Sequence, residues 1–175
     1  MSNRIIRFVS LGAFVLFGSG AAFAHITLET QEAAVGSTYK AVLRVPHGCE
    51  GAPTTAVKIK IPEGFISVKP MPKSGWKLET VKGKYARSYD SHGDAISEGV
   101  QEVVWSGGEL PDEFYDEFVL RGQLTAGLPA GETLYFPVVQ ECGDKAERWI
   151  EVPKAGEDGH ALEFPAPGIK LLPRK

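Results

Sequence analysis

The sequence is poor in the residues that most often build metal and redox sites. Its 175 residues include two cysteines, two methionines and four histidines. The two cysteines are far from a C-x-x-C spacing, so a thioredoxin-type redox motif and a cysteine-rich zinc cluster are both excluded. Methionine occurs only at Met1 and Met71, which removes the methionine-rich thioether sites that suit Cu(I). Nucleophile-elbow, phosphate-loop and H-E-x-x-H patterns are missing, and with them the commonest hydrolase, nucleotide and zinc-protease machinery. An excess of positive charge is lacking too: 19 Lys and Arg stand against 22 Asp and Glu. Without a basic footprint no nucleic-acid partner is expected. Beyond residue 24 no stretch approaches the roughly 18 apolar residues of a membrane-spanning helix.

What is present begins with an export signal. Arg4 and Arg7 precede an apolar run over 8–17, and small residues lead to Ala22-Phe23-Ala24, an A-x-A processing site. Cleavage after Ala24 leaves 151 residues that begin at His25 and carry 17 basic against 22 acidic side chains, a net charge of −5. The expected location is therefore periplasmic or secreted. A chain of about 150 residues is expected to form one domain. In an oxidising compartment Cys49 and Cys142 are expected to pair as a structural disulfide. Such a bridge would stabilise the fold by about 4–5 kcal/mol on chain-entropy grounds. It also consumes both thiols and so excludes a blue-copper centre.

Apolar residues alternate at period two through most of the mature chain, and no long window shows capped helical spacing. Candidate strands cover 25–30, 39–45, 57–61, 76–80, 100–105, 114–124, 133–141 and 148–152. Turn signals such as Pro62-Glu-Gly64 and Pro129-Ala-Gly131 separate them. About eight short strands without intervening helices predict an all-β antiparallel sandwich of immunoglobulin or cupredoxin type. The domain is expected to span 25–153, with 154–175 as a Pro/Gly-rich extended tail.

The processing site gives His25 its interest. As residue one of the mature protein, His25 would offer a free amine and its own imidazole Nδ1, which together close a six-membered chelate around one ion. Nitrogen donors in a tetragonal arrangement favour Cu(II), at the peak of the divalent affinity order. The amine must lose a proton to bind, and its reference pKa is about 7.7–8.0, so affinity should fall with pH.

Further motifs point the same way. His25-Ile-Thr-Leu28, Val45-Pro-His-Gly-Cys-Glu-Gly-Ala-Pro-Thr-Thr55, Gly75-Trp76, Trp105-Ser-Gly-Gly108, Tyr115-Asp-Glu-Phe118, Phe136-Pro-Val-Val-Gln140 and Trp149 occur in that order. Together they resemble the YcnI-like copper-binding proteins, formerly a domain of unknown function (DUF1775), over roughly 25–153. The resemblance implies an exported β-sandwich with a one-histidine copper site. Its ligands would be the amine and ring of His25 and a carboxylate, with Trp149 nearby.

Strand parity bears on the acid. Along 114–121, Phe114, Phe118 and Leu120 share one face with Asp116; if that face is core, Glu117 points outward. In 148–152, Ile150 and Val152 form the natural core pair, so Trp149 is also expected to point outward. Glu117 is the favoured carboxylate and Asp112 its competitor, with Glu113 and Glu50 still open. The indole N–H is a poor ligand, so Trp149 is expected to cover the ion or offer it a π-face. His47 is read as a structural neighbour of the disulfide, His92 and His160 as exposed loop residues, and Trp76 and Trp105 as core aromatics.

The expected role is binding rather than turnover: copper sequestration, or delivery to a membrane copper transporter or periplasmic copper chaperone. Two alternatives stand beside it. One is a copper-dependent polysaccharide oxygenase, which would look for a second histidine on the sandwich face. The other is a metal-free extracellular interaction module.

Overall fold

The computed structural model describes residues 25–91, 93–154, 157 and 159–174. The predicted export signal over 1–24 and His92 lie outside the described residues, as does the His160 side chain. Twelve strands are present among the described residues: β1 (Thr27–Leu28), β2 (Glu32–Ala34), β3 (Thr38–Val45), β4 (Thr54–Lys60), β5 (Phe65–Pro70), β6 (Lys77–Ser91), β7 (Asp94–Leu110), β8 (Asp116–Leu124), β9 (Thr133–Tyr135), β10 (Val138–Cys142), β11 (Lys145–Trp149) and β12 (Gly168–Leu172). One sheet runs β1-β3-β8-β5 and a second β11-β10-β4-β7-β6, and a small third sheet runs β2-β12-β9. No described helix is long and apolar enough to cross a membrane.

The alternating pattern of the sequence is what closes the two main sheets over each other. Tyr39, Ala41, Leu43 and Val45 of β3 and Phe118, Leu120 and Leu124 of β8 turn inward, facing Val57, Ile59, Val103, Trp105 and Val138 of the opposite sheet. At about 1.5–3 kcal/mol for each large apolar side chain removed from water, this layer is the main favourable contribution to the fold. Aromatic edges lock it: the Phe118 ring meets Trp105 at 5.5 Å and Trp76 at 4.9 Å, while Phe65 meets Phe136 at 5.4 Å. The Trp105 indole, fully buried, donates to the Met71 carbonyl at 3.1 Å. Trp76 is only partly buried and packs on the rim of the core.

Cys49 and Cys142 are bridged, with Cα atoms 5.8 Å apart. Cys49 and Ala52 face each other across a tight hairpin in which each donates its N–H to the other's carbonyl at 3.0 Å. Glu50 (φ 49°) and Gly51 (φ 83°) form the turn. Positive φ at both central positions is the signature of a type I′ hairpin turn. The preceding Gly48 is obligatory for another reason, since a Cβ there would stand 1.9 Å from the Ala52 carbonyl oxygen.

Two expectations are corrected. The segment after Pro153 is no appendage: β12 pairs in parallel with β2 and antiparallel with β9, and Ile169 and Leu171 are buried in the core. Phe114 is exposed rather than core, because its N–H closes a turn onto the Pro111 carbonyl and the strand begins only at Asp116. Leu171→Ala should therefore lower the unfolding free energy by about 2–5 kcal/mol in urea. A loss under about 0.5 kcal/mol, typical of a surface change, would contradict β12 as a core strand.

Candidate metal centre

His25 immediately precedes β1, and the buried Ile26 and Leu28 hold this segment against the sandwich. The imidazole itself is half-buried. Its ring lies 5.7 Å from the Trp149 indole, tilted by 60°. The indole also meets the Phe164 ring at 5.3 Å. A cleft of about 310 Å³ opens beside His25, with Tyr135, Pro165 and Gly168 among its walls.

Trp149 reaches this position by a route opposite to the one expected. It points inward and is 1% exposed, whereas Ile150 and Val152 are 44% and 50% exposed. Register explains the reversal: Trp149 pairs with Val138, Glu147 with Gln140 and Lys145 with Cys142. The β10 partners all face the core, so β11 presents 145, 147 and 149 to the same side. The strand stops at Trp149, and the Ile150 N–H bends back onto the Arg148 carbonyl at 2.8 Å. Inside the sandwich the indole N–H donates to Gln140 Oε1 at 3.1 Å. That bond occupies its one polar hydrogen, so the ring can serve an ion only by its face or as a cover.

The predicted acids fare differently. Glu117 does face outward, in a cross-strand row of Thr27, Arg44 and Glu117. Strand β3 and Arg44 thus separate it from β1, and its carboxylate accepts from the Tyr115 hydroxyl. Asp112 Oδ1 accepts the Gly48 N–H at 3.0 Å and pins the disulfide loop. Glu50 pairs with Lys145 at 2.9 Å, and Glu113 is exposed. None of these four is brought to His25 and Trp149 by a described contact. Among the described residues no three His, Cys, Asp or Glu side chains converge as a metal site.

One acid escaped the sequence reading. Glu147 stands two residues before Trp149 on the same inward face, and its Oε2 is buried with no hydrogen-bond partner. Burial pushes its carboxyl pKa up from 4.5; nearby Glu50 and Asp112 push the same way, and His47 opposes them. A buried carboxylate oxygen left unpaired is costly unless a cation or proton meets it. The E-x-W spacing was legible at period two, had parity been counted back from Trp149 rather than forward to Val152.

The matches to known proteins bear on this arrangement. The family described as a domain of unknown function (DUF1775) matches residues 25–171. The chain belongs to that family. The match starts at His25 and runs past Pro153 through most of β12. Among solved structures, an uncharacterized protein from Nocardia farcinica with an immunoglobulin-like fold is similar at 26% identity and TM-score 0.62, over 85% of this chain and 98% of that one. The sixth cohesin of Acetivibrio cellulolyticus scaffoldin B, solved with a Cel5 dockerin mutant, aligns over 84% of this chain and 97% of that one. Its 10% identity and TM-score of 0.41 are too low to inform function. No curated protein sequence matches significantly. The DUF1775 chain is thus an immunoglobulin-like β-sandwich with His25, Trp149 and the edge of an apolar cleft at one end.

The Glu147 environment sets a pH signature. A carboxyl whose folded pKa is raised binds a proton more tightly in the folded state, so stability falls as pH rises above 4.5. Glu147→Gln should raise the melting temperature of metal-free protein at pH 7, and the gain should shrink as pH falls towards 4.5. A gain or loss independent of pH would contradict a Glu147 carboxyl whose pKa burial raises.

Proposed function

We propose that this DUF1775 protein is an exported copper-binding protein that takes one Cu(II) at His25 for sequestration or for delivery to a membrane partner. The observation that best supports the reading is the 5.7 Å approach of the His25 ring to a buried, hydrogen-bonded Trp149. In the full-length chain the His25 nitrogen is an amide; removal of 1–24 turns it into an amine that chelates together with Nδ1. Two nitrogens of one residue, a carboxylate oxygen and a shielding indole form a donor set suited to Cu(II).

The residues divide the work by chemistry. His25 binds through its two nitrogens. Trp149 limits the approach of water and offers its π-face to the positive charge. Glu147 is the acid with an unanswered buried oxygen on the same strand face as Trp149, and we favour it over Glu117 and Asp112, whose carboxylates already have partners. A cation nearby offsets the desolvation that raises its pKa.

The test is a Cu(II) titration followed by EPR on protein that begins at His25, alongside protein with one added alanine before it. The first should bind one equivalent in a nitrogen-rich tetragonal spectrum, with affinity falling below about pH 8 as the amine protonates. The extended protein should bind about tenfold or more weakly, with an altered spectrum. Equal affinity and identical spectra would overturn the amine chelate.

A further inference from the structure

Only three polar side chains among the described residues are buried: Thr54, Thr125 and Gln140. Two of them touch each other directly behind Trp149. Gln140, with no exposed surface, donates through Nε2 to the Thr54 hydroxyl at 2.7 Å and to the His47 carbonyl at 2.6 Å. Its Oε1 accepts the Trp149 indole N–H at 3.1 Å. Partner chemistry fixes the orientation of the amide, because a carbonyl can only accept and an indole N–H can only donate. The side chain therefore has one pose, and it is anchored on both sides.

The anchors lead away from the core. His47 lies in the loop between β3 and β4, which the Gly48–Asp112 hydrogen bond and the Cys49–Cys142 bridge hold in place. The Thr54 hydroxyl lies 3.9 Å from the Cys142 sulfur, and since a disulfide sulfur carries no hydrogen, the hydroxyl is the donor. Disulfide, Thr54, Gln140, Trp149 and the His25 ring thus form a continuous line of contacts across one end of the sandwich.

We infer that Gln140 is a positioning residue: its buried amide sets the pose of the Trp149 indole against His25 and thereby tunes the affinity and spectrum of a copper ion held there. The inference rests on the reading of His25 and Trp149 as one site. Groups that orient a metal's immediate surroundings typically change affinity by about 10–100-fold when removed. Methionine at this position fills about the same space but offers the indole only a weak thioether acceptor in place of the amide oxygen, which frees the ring to turn.

Three proteins starting at His25 decide it: wild type, Gln140→Met, and Leu124→Ala as a core control at the opposite end of β8 from the metal-facing end. In metal-free wild type, NMR should show NOEs between the Trp149 and His25 rings. Gln140→Met should weaken or lose them, reduce Cu(II) affinity about 10–100-fold and shift the EPR parameters. Leu124→Ala should unfold at lower temperature yet keep NOEs, affinity and spectrum. Should Gln140→Met fail to fold, Thr54→Val removes one anchor while sparing the indole bond, and it should move NOEs and affinity in the same direction. Unchanged NOEs and copper parameters in the Gln140 variant, or equal changes in the Leu124 control, would overturn the inference. If wild type takes no copper, the copper reading fails, and the NOE comparison alone still decides whether Gln140 sets the indole pose.

Discussion

The indole of Trp149 can lie inside this sandwich only because its single polar atom is answered. An unpaired N–H in that position would cost about 1–3 kcal/mol, and Gln140 Oε1 removes the penalty. The answer carries its own demand, since Gln140 is itself buried and needs acceptors for its amide hydrogens. Those acceptors are the Thr54 hydroxyl and the His47 carbonyl, and the second is available only while the loop after β3 stays in place. The Cys49–Cys142 bridge, the Glu50-Gly51 turn and the Asp112 side chain hold that loop. A disulfide that looks like a general staple thus also supports one end of the molecule in particular.

That end is where the mature chain would begin. The first apolar residues, Ile26 and Leu28, anchor it in the core and leave His25 half-buried against the indole. A free terminus usually frays; a chain starting at His25 would be held from its second residue, Ile26, which is buried. Under the proposed function, anchoring so close to the predicted cut would turn a processing event into a geometry: cleavage would create the amine, and the fold would supply the surroundings it needs. A metal site made this way requires few dedicated side chains, which fits a chain with so few histidines, cysteines and methionines.

Much of the fold was legible because alternation is a strong signal wherever one sheet face is buried. Strands β3, β4 and β8 follow it closely, and Phe118 and Leu120 turn inward as parity demands. The failures are local and have physical causes. Phe114 belongs to a turn, so its apolar character does not report a strand face. Trp149 lies on the face opposite to the one that parity with Ile150 and Val152 predicts, because those two are apolar but outside the ladder; the register with β10 decides, and it is a long-range fact. The same error hid Glu147. Strand β12 was missed because Pro165, Pro167 and Gly168 read as an extended tail, while only tertiary pairing with β2 and β9 reveals that Ile169 and Leu171 are core. The proposed role of His25 rests on the predicted processing site, because it would come from covalent chemistry and not from packing.

The most direct measurement of the central claim is a crystal structure of the processed protein, beginning at His25 and loaded with one equivalent of Cu(II). The account predicts a single copper bound by the His25 amine and Nδ1, with a carboxylate oxygen alongside and the Trp149 indole against it, still hydrogen-bonded to Gln140. Copper held elsewhere, at His47 or a loop histidine, with the His25 amine free, would contradict it.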